Sequence, residues 1–560
     1  MAYQVYPKSF QDTNNDGVGD LEGIRRRLDY LEKLGIDLLW ISPVNKSPMK
    51  DNGYDISDYY QIDPLFGKNE DMYRLIKEAD SRGIRVIMDL VVNHCSDQHE
   101  WFQKALKDPE GEYAQYFYFR KGDGENPPNN WRSIFGGSAW EKIPDSEYYY
   151  LHIFAKEQVD LNWENPKLRN EIYDMMNFWL EKGIAGFRLD AITYIKKEAG
   201  LPSFPPDAAD GLVSVRYGSL ARPGIEAFLE EMKEKTYGRR ECFTVGEVAG
   251  VEGEKAIPFI SLKDGYFSAI FDVSHLNMDL KGPNFFWCDR KEWTADELRD
   301  ALLDSQEAIQ PEGWIATFLE CHDMPRCIDY LLPAEGRNFY GASMLAVLYL
   351  YLRGTPFIYQ GQEIGMRNFP FADIDDYDDC SSHGEYNYAL SCGYSKEEAL
   401  NFVQLRSRDN TRYPMSWNKG KNAGFSEAAP WLPVHPNHTK INVEDQEKDE
   451  NSLLHFYRKL IALRKSKEYG DIFCFGDLKK IFPEHHSIFA YQRSYQDHTV
   501  SVICNNQNGD YRLPYKMQGN ILINNYPDLR VTENGDLLLL PFQAVVLDGK
   551  MEGHVNAVQK

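Results

Sequence analysis

The sequence predicts an α/β protein: a (β/α)8 TIM barrel with a small domain inserted after the third strand and an all-β domain at the C-terminus. Short apolar runs recur along most of the chain, and helical patterns follow several of them. This alternation is typical of βα units around a parallel sheet. Polar and acidic residues stand where several of the runs end, and TIM barrels place function at that end of their strands.

Each barrel element is predicted from apolar periodicity. The predicted strands are residues 2–6, 38–41, 86–91, 186–189, 243–246, 269–273, 315–319 and 355–359. Helical patterns cover residues 21–34, 71–81, 168–181, 223–235 and 338–352. Together they predict a barrel made of residues 1–93 and 165–465.

Three stretches depart from this rhythm. Residues 94–164 are rich in Tyr, Trp, Asn, Pro and Gly and are too long for an ordinary connection, so we predict an inserted domain B there. Residues 369–448 carry acidic runs and Pro-rich turns, which predict a lid-like insertion. Short alternating strands after residue 466 predict a C-terminal β-sandwich domain over residues 466–560.

Composition narrows the class of protein. A chain of 560 residues exceeds what one hydrophobic core usually supports. The net charge of −24 argues against nucleic acid or an anionic membrane as a partner and favours a neutral small molecule. Nine cysteines without CxxC spacing favour reduced thiols, and neither a signal peptide nor a membrane span is recognisable. We therefore expect a cytoplasmic protein, monomeric or a small homo-oligomer.

The strongest functional signal is a set of acids at the ends of apolar runs. Asp190 follows Gly186-Phe-Arg-Leu, Glu247 follows Thr244-Val-Gly, and Asp323 follows the run that begins at Trp314. Most enzymes that hydrolyse glycosides use a pair of carboxylic acids. Arg188 lies two residues before Asp190 on the same face of a strand and can hold that carboxylate ionised. Any one acid alone could instead be a helix N-cap or a surface charge.

Seven ordered motifs resemble those of the α-amylase superfamily, glycoside hydrolase family 13. Four are its signature regions, and three are similar to the oligo-1,6-glucosidase and α-glucosidase branch. In chain order they are residues 51–55, 89–94, 158–163, 186–190, 246–247, 322–323 and 407–412. The match runs from residue 3 to about residue 465. Met324, where relatives usually have Gln, and Val159, where they usually have Pro, depart from the pattern.

The resemblance implies a role for each acid. Asp190 would be the nucleophile, Glu247 the general acid/base, and Asp323 a carboxylate that stabilises the oxocarbenium-like transition state. His94 and His322 would bind sugar hydroxyls, although a histidine alone is more often a satisfied core residue.

Further residues are assigned to substrate by the same resemblance. Asp51 and Arg408 would form an ion pair that closes the pocket around the non-reducing-end glucose, which means exo-cleavage. Tyr54 would be a stacking platform for that glucose and Phe154 a wall. Ala191, directly after the nucleophile, would leave room for both α-1,6 and α-1,4 bonds. Surface charge and core packing are the simpler explanations of these residue types.

The segment from residue 12 to residue 20 alternates oxygen ligands at the spacing of a calcium loop, with a glycine at the sharp turn. Position twelve is Gly23 rather than the Glu of an EF-hand, and an Asx-rich turn without metal is the alternative. The resemblance implies a structural Ca²⁺, with Mg²⁺ possible and no organic cofactor. Its ligands would be Asp12, Asn14, Asp16, the Val18 carbonyl and Asp20.

The leading function is a retaining, exo-acting α-glucosidase that hydrolyses terminal α-1,6- or α-1,4-linked glucose from short oligosaccharides. A trehalose-6-phosphate hydrolase and a sucrose isomerase or glucosyltransferase are the alternatives within the family. Isomerases carry an Arg-Leu-Asp-Arg-Asp loop where this chain has Met324-Pro-Arg-Cys-Ile-Asp329. A non-enzymatic barrel partner of amino-acid transporters is disfavoured by the intact acids.

Overall fold

The computed structural model describes residues 1–282, 284–516, 519–533 and 535–550. Eight parallel strands close into a barrel, which confirms the predicted fold class. They are β1 (Ala2–Val5), β2 (Leu38–Ile41), β3 (Arg85–Val91), β4 (Gly186–Asp190), β5 (Phe243–Gly246), β6 (Ala269–Phe271), β7 (Ile315–Thr317) and β8 (Thr355–Tyr359). Each strand pairs with its sequence neighbours, and β8 pairs with β1.

The lumen of the barrel is packed with apolar side chains, so it is a core and not a channel. Trp40, Ile87, Val245, Phe271 and Phe357 belong to this cluster and are nearly or fully buried. The much larger cluster outside the strands joins the barrel to its helices. Strands buried on both faces read as continuous apolar runs, which is why the sequence revealed them.

Helices surround the barrel, and several differ from the predicted patterns. The predicted helix over residues 21–34 is divided at Arg27, whose φ of −100° and ψ of 7° interrupt the helical path. The helices Ala295–Ile309, after β6, and Leu453–Arg464, and the three short helices, match none of the predicted patterns. The surrounding helices are Leu21–Arg26, Leu28–Leu34, Asn69–Ser81, Pro166–Glu181, Ile225–Lys235, Ala295–Ile309, Phe339–Leu350 and Leu453–Arg464, with short helices at Arg216–Ser219, Ile257–Ile260 and Cys327–Tyr330.

The segment between β3 and the helix Pro166–Glu181 forms small sheets beside the barrel mouth. Strands Phe119–Lys121, Tyr148–Leu151 and Trp140–Lys142 make an antiparallel sheet, and helix Glu100–Lys107 precedes them. Gln158–Asp160 pairs with His94–Ser96, while Trp131–Arg132 pairs with Val213–Ser214 from the loop after β4. A further two-stranded ribbon joins Asn45–Lys46 to Asp58–Ile62.

Residues 369–448 contain the helices Cys380–Ser391, Lys396–Arg406, Asp409–Arg412 and Val443–Lys448. After helix Gly470–Phe475, the C-terminal part is all β. Its five-stranded sheet has the order Asp477–Lys480, Ile488–Tyr495, His498–Asn505, Ala544–Asp548 and Asn520–Asn524, and its three-stranded sheet the order Tyr511–Lys516, Asp536–Leu539 and Arg530–Val531. An apolar cluster contains side chains from both sheets. Residues 551–560, the end of the predicted C-terminal domain, lie outside the described residues.

The structure bears on the cysteines and on membrane-spanning helices. All nine cysteines are free thiols. Within the described ranges, no helix combines the length and the apolar character needed to cross a bilayer.

Candidate active site

Strand register brings the first two acids together. Leu189 of β4 pairs with Gly246 of β5, so Asp190 and Glu247 are the next residues on adjacent strands. The Glu247 backbone N–H donates to the Leu189 carbonyl at 2.9 Å, which extends the ladder to the acid itself. Because the strands are parallel, both carboxylates emerge at the same end of the barrel.

Arg188 connects the acids of this site. Its Nη1 donates to Asp190 Oδ1 at 2.6 Å and to Asp89 Oδ1 at 2.8 Å, and its Nη2 donates to Glu247 Oε2 at 2.8 Å. Asp89 also accepts from the Tyr54 hydroxyl at 2.9 Å and from Trp40 Nε1 at 3.1 Å. A single guanidinium therefore fixes the orientation of both carboxylates.

The two acids differ in their surroundings. The Asp190 side chain is only 11% exposed, whereas that of Glu247 is 39% exposed. Burial raises the pKa of Asp190 well above its ordinary value, and Arg188 is the strongest influence that lowers it. Burial likewise raises the pKa of Asp89 to about 6 against the effect of Arg188. Asp190 is thus enclosed and held by a cation, while Glu247 faces the open cavity.

Asp323 lies near three nitrogen groups, and the two arginines among them donate hydrogen bonds to it. Arg412 Nη2 lies 2.8 Å and Arg408 Nη1 lies 3.5 Å from Asp323 Oδ1, and His322 Nε2 lies 3.1 Å from its Oδ2. Burial pushes the pKa of Asp323 upward, but His322, Arg412 and Arg408 together hold it below the ordinary value. This carboxylate is therefore ionised at neutral pH and presents negative charge to the cavity.

The two histidines are buried and uncharged at neutral pH. Burial lowers the pKa of His322 to about 3 and also lowers the pKa of His94. The His322 ring is parallel to that of Tyr54, with centroids 5.3 Å apart and 6° between planes. Gln4 Nε2 lies 2.7 Å from His322 Nδ1, and the Tyr54 hydroxyl lies 2.5 Å from its Nε2. Both ring nitrogens of His322 therefore have protein partners in this structure.

The predicted pair of Asp51 and Arg408 is present and buried. Arg408 Nη2 donates to Asp51 Oδ1 at 3.0 Å, and Arg408 Nε donates to Asp379 Oδ1 at 2.7 Å. Gln158 Nε2 donates to the second Asp51 oxygen at 3.0 Å. The ion pair joins the ribbon after β2 to the 369–448 segment.

Aromatic and backbone groups complete this end of the site. The Phe154 and His94 ring centroids are 5.2 Å apart, and Phe135 packs on Phe154 at 5.6 Å. The Arg408 guanidinium lies 5.1 Å above the Phe135 ring. His94 Nε2 is 2.9 Å from the Tyr54 carbonyl. Phe135 thus connects the ion pair to Phe154 and, through it, to His94.

Ala191 has an unusual backbone. Its φ of 44° and ψ of 33° lie in the left-handed region, which residues other than Gly, Asn and Asp rarely adopt. Its backbone N–H donates to Glu247 Oε2 at 2.9 Å. The strained residue therefore orients the second acid, a role that the sequence did not indicate.

A cavity of about 260 Å³ lies beside these groups. Arg188, Glu247, Asp323 and Arg408 line it together with Trp40. The other residues that the sequence assigned to catalysis or substrate are not among its lining side chains: Asp51, Tyr54, His94, Phe154, Asp190, Ala191 and His322. The remaining lining residues are largely aromatic or apolar, with a few charged side chains, and include Phe271, Trp287, Phe318, Tyr330, Glu385 and Arg406. Apolar walls with a small number of convergent polar groups are typical of small-molecule sites.

The predicted calcium loop offers the right donor type. Asp12 Oδ1 accepts from Asn15 N at 2.8 Å, Asp16 Oδ1 from Val18 N at 2.8 Å, and Asp20 Oδ2 from Thr13 N at 2.8 Å. Carboxylate oxygens have further lone pairs, so these contacts leave capacity for a hard cation. The oxygens of the three carboxylates do not all lie within 4.8 Å of one another. The loop would therefore have to tighten around a bound ion.

In the described part of the chain, one group of three potential ligand atoms does converge within 4.8 Å: Cys321, His322 and Asp323. Burial raises the pKa of the Cys321 thiol, and the Asp323 N–H donates to its sulfur at 3.4 Å. A protonated thiol and a histidine bonded to Tyr54 and Gln4 are poor metal ligands. Cys321 and Asp323 of this cluster line the cavity of the candidate active site.

Sequence reasoning missed three residues of the site. Arg412 closes the motif at residues 407–412, and its distance of four positions from Arg408 was a usable signal. Asp379 stands in an acidic run that resembled solvated surface, and it is fully buried against Arg408. Trp40 lies in β2, with its side chain in the barrel lumen, and donates a hydrogen bond to Asp89.

Comparison with known proteins agrees with this geometry. The model of the α-amylase catalytic domain matches residues 4–470. An oligo-1,6-glucosidase of Halalkalibacterium halodurans is 40% identical over 99% of this chain and 98% of its own. A trehalose-6-phosphate hydrolase of Escherichia coli is 40% identical over 90% of each chain. The solved structure of an isomaltulose synthase variant from Erwinia rhapontici NX5, in complex with D-glucose, is 37% identical with a TM-score of 0.91 over 98% of both chains.

The seven motifs, the closed barrel with its acids at one end, and these relatives lead to the same assignment. The chain belongs to the α-amylase family of glycoside hydrolases, glycoside hydrolase family 13, among the relatives of the oligo-1,6-glucosidases.

Proposed function

We propose that this enzyme is a retaining, exo-acting α-glucosidase that releases terminal α-linked glucose from short oligosaccharides. Asp190 attacks the anomeric carbon and forms a glycosyl-enzyme while Glu247 protonates the departing oxygen. Glu247 then accepts a proton from water, which attacks the same carbon and frees glucose. Asp323 stabilises the positive charge that develops on the ring in both steps.

The observation that carries the proposal is the sharing of one guanidinium by Asp190 and Glu247. Retaining enzymes need their two carboxyl groups close together, because the nucleophile must reach the carbon without an intervening water. The difference in exposure matches the two roles. The buried nucleophile is kept from competing water, and the exposed acid meets the leaving group in the cavity.

Exo-cleavage is supported by the Asp51–Arg408 ion pair. Both side chains are buried, at 5% and 11% exposure, beside Asp323. A pocket closed in this way accommodates a single sugar before the scissile bond. The pair also provides a carboxylate and a guanidinium for the outer hydroxyls of that sugar.

The alternatives within the family fit less well. Arg326, in the position of the isomerase loop, is fully buried and donates to Glu320 at 2.8 Å, away from the cavity. A phosphorylated substrate needs cations that are not already neutralised. Arg406 pairs with Asp279 at 2.5 Å, and Arg408 pairs with two carboxylates. Glu247 and Asp323 add negative charge, so we favour a neutral glucoside.

The test uses purified enzyme with isomaltose, maltose, sucrose, trehalose and trehalose 6-phosphate side by side. We expect glucose from isomaltose and maltose, and NMR of fresh product should show the α-anomer first. Initial β-glucose would contradict retention. Preferential hydrolysis of trehalose 6-phosphate, or conversion of sucrose to an isomer without glucose release, would replace the proposal with one of the alternatives.

We also propose that the loop from Asp12 to Asp20 binds a structural Ca²⁺. Its ligands would be Asp12, Asn14, Asp16, Asp20 and the carbonyl of Val18, which are all oxygen donors. Mg²⁺ suits the loop less, because it requires a tight octahedron and the carboxylates are spread apart. Elemental analysis of dialysed protein, with and without chelator, tests for the ion. The nine free thiols support the proposal of a cytoplasmic location.

A further inference from the structure

A cavity of about 740 Å³ lies at the end of the barrel opposite to the acids. Phe243, the first residue of β5, lines it together with Trp314 and Arg353, which precede β7 and β8. Its volume is within the range of pockets that hold small molecules. TIM barrels carry out their chemistry at the C-terminal ends of the strands, so a ligand bound at this end would not take part in the reaction.

The lining of this cavity is basic, although the whole protein carries a net charge of −24. Among the described residues, no carboxylate lines it, and four cationic side chains do: Lys233, Arg240, Lys263 and Arg353. Arg240 lies 3.8 Å from the exposed Glu181, and the other three form no ion pair within the described ranges. Lys233 Nζ donates instead to the Asp264 carbonyl at 3.0 Å. Positive charge gathered in a concave site attracts anions.

Arg353 is the buried member of this set, at 5% exposure. Its Nη1 donates to the Gly313 carbonyl at 2.6 Å and its Nη2 to the Pro311 carbonyl at 3.1 Å, while its Nε has no hydrogen-bond partner in the described part of the chain. The guanidinium lies 5.3 Å from the centroid of the Trp314 ring. Burial lowers the pKa of Arg353, and the more distant Asp477 acts against this. Because a buried charge is costly without a counter-charge, an anion in the cavity would stabilise this side chain.

The cavity also has apolar walls that the protein leaves in water. Leu262 and Phe475 line it, and at 63% and 59% exposure they are the most exposed large apolar side chains in the described ranges. Aromatic rings make up much of the remaining lining: Tyr237, Phe243, Tyr266, Phe267 and Trp314. Exposed apolar surface next to aromatic rings favours a ligand that itself contains a ring. A bare inorganic anion would leave this surface uncovered.

We propose that this cavity binds a small organic anion in which a phosphate is joined to an aromatic ring, as in a nucleoside monophosphate. The cationic side chains bind the phosphate, and the aromatic and apolar side chains pack against the ring. The site is separate from the sugar pocket, because the two lie at opposite ends of the barrel. Occupancy should therefore stabilise the folded protein by mass action without competing with a sugar.

Titration calorimetry with four probes tests both halves of the ligand: adenosine 5′-monophosphate, phenyl phosphate, adenosine and inorganic phosphate. We expect the two aromatic phosphates to bind with a Kd of about 1 mM or tighter, and adenosine and inorganic phosphate to bind at least about tenfold more weakly. Adenosine 5′-monophosphate should raise the melting temperature, and excess glucose should not displace it.

Variants of exposed side chains locate the site. Lys263→Glu should weaken the binding of adenosine 5′-monophosphate at least about tenfold, because it reverses a charge in the lining. Lys396→Glu makes the same change of net charge at an exposed position outside the cavity, so it is the matched control and should bind as the wild type does. Leu262→Ser should weaken both aromatic phosphates and leave the binding of inorganic phosphate unchanged.

Several results would overturn the proposal. They are the absence of binding by both aromatic phosphates, their displacement by glucose, and equal affinity of Lys263→Glu and the wild type. Inorganic phosphate that binds as tightly as adenosine 5′-monophosphate would also overturn it, because the ring would then contribute nothing. Melting temperatures near that of the wild type establish that the variants are folded.

Discussion

Replacement of Ala191 by Val tests how the residue after the nucleophile controls linkage. The Ala191 side chain is buried in a cluster with Tyr194 and Val215, and its backbone N–H orients Glu247 at 2.9 Å. In the resembling enzymes, Val at this position accompanies preference for α-1,6 bonds, and Ala accompanies α-1,4 or mixed use. We therefore expect the wild type to cleave both isomaltose and maltose.

Two free-energy terms determine the size of the effect. A β-branched side chain at φ 44° is strained and should destabilise the fold by about 1–3 kcal/mol. The resemblance implies that Ala191 shapes the space beside the scissile oxygen, and on that basis two added methyl groups should change the relative transition-state energies of the two substrates by about 1–3 kcal/mol, or about 10- to 200-fold. The first term appears in thermal unfolding and the second in kinetics.

The assay is the ratio of kcat/KM for isomaltose over maltose in wild type, Ala191→Val and Ala191→Gly. We expect this ratio to rise in the Val variant together with a lower melting temperature. The Gly variant is the control, because Gly adopts positive φ without strain and adds no bulk. A Val variant that loses stability while its ratio does not rise would refute the account and leave Ala191 as core packing.

Four further predictions concern the two acids, the buried ion pair, the loop from Asp12 to Asp20, and His275, a histidine that is fully buried. Asp190→Asn and Glu247→Gln should each lower hydrolysis by several orders of magnitude in a folded protein, and near-wild-type turnover in either would contradict its role. Arg408→Lys should lower kcat/KM for isomaltose at least about tenfold, chiefly by raising KM. The reason is that a lysine ammonium cannot bind two carboxylates at once as the guanidinium does. An unchanged KM would argue against the ion pair as a glucose ligand. Chelation should lower the melting temperature more than the room-temperature activity, and identical unfolding with chelator and with excess calcium would leave residues 12–20 as a bare turn. Burial alone lowers the pKa of His275 to about 4, so on acidification the unfolded protein takes up a proton at this histidine before the folded protein does. The free energy of unfolding should therefore fall as the pH drops from about 6.5 toward 4. The loss should be about 3 kcal/mol greater than in the His275→Leu variant. If the free energies of unfolding of wild type and His275→Leu change with pH in parallel, His275 is not the source of the loss.

The barrel could be predicted because its strands are buried on both faces and read as apolar runs. The acids could be predicted for a related reason, because parallel strands all end at the same rim of the barrel. The helix Ala295–Ile309 was missed although Thr294 and Glu297 form a capping box. A capping box can be recognised from the sequence alone, so this helix could have been predicted.

Other features depend on tertiary contacts that no local pattern encodes. The division of the first helix at Arg27 is one of them, because both halves have helical periodicity. Asp379 is another: its acidic neighbours indicate solvent exposure, yet Arg408 draws it into a buried ion pair. The left-handed backbone of Ala191 is a third, since Ala gives no indication of positive φ.

Under the proposed function, the buried Asp51–Arg408 pair closes one end of the glucose pocket and makes that pocket a chamber with one exit. The leaving group must depart through the same opening that later admits water, and glucose is the last species to leave. Free glucose should therefore compete directly with substrate for the empty enzyme. Any alcohol that reaches the opening before water does would capture the glucosyl unit, so the enzyme should build longer glucosides when its substrate is concentrated.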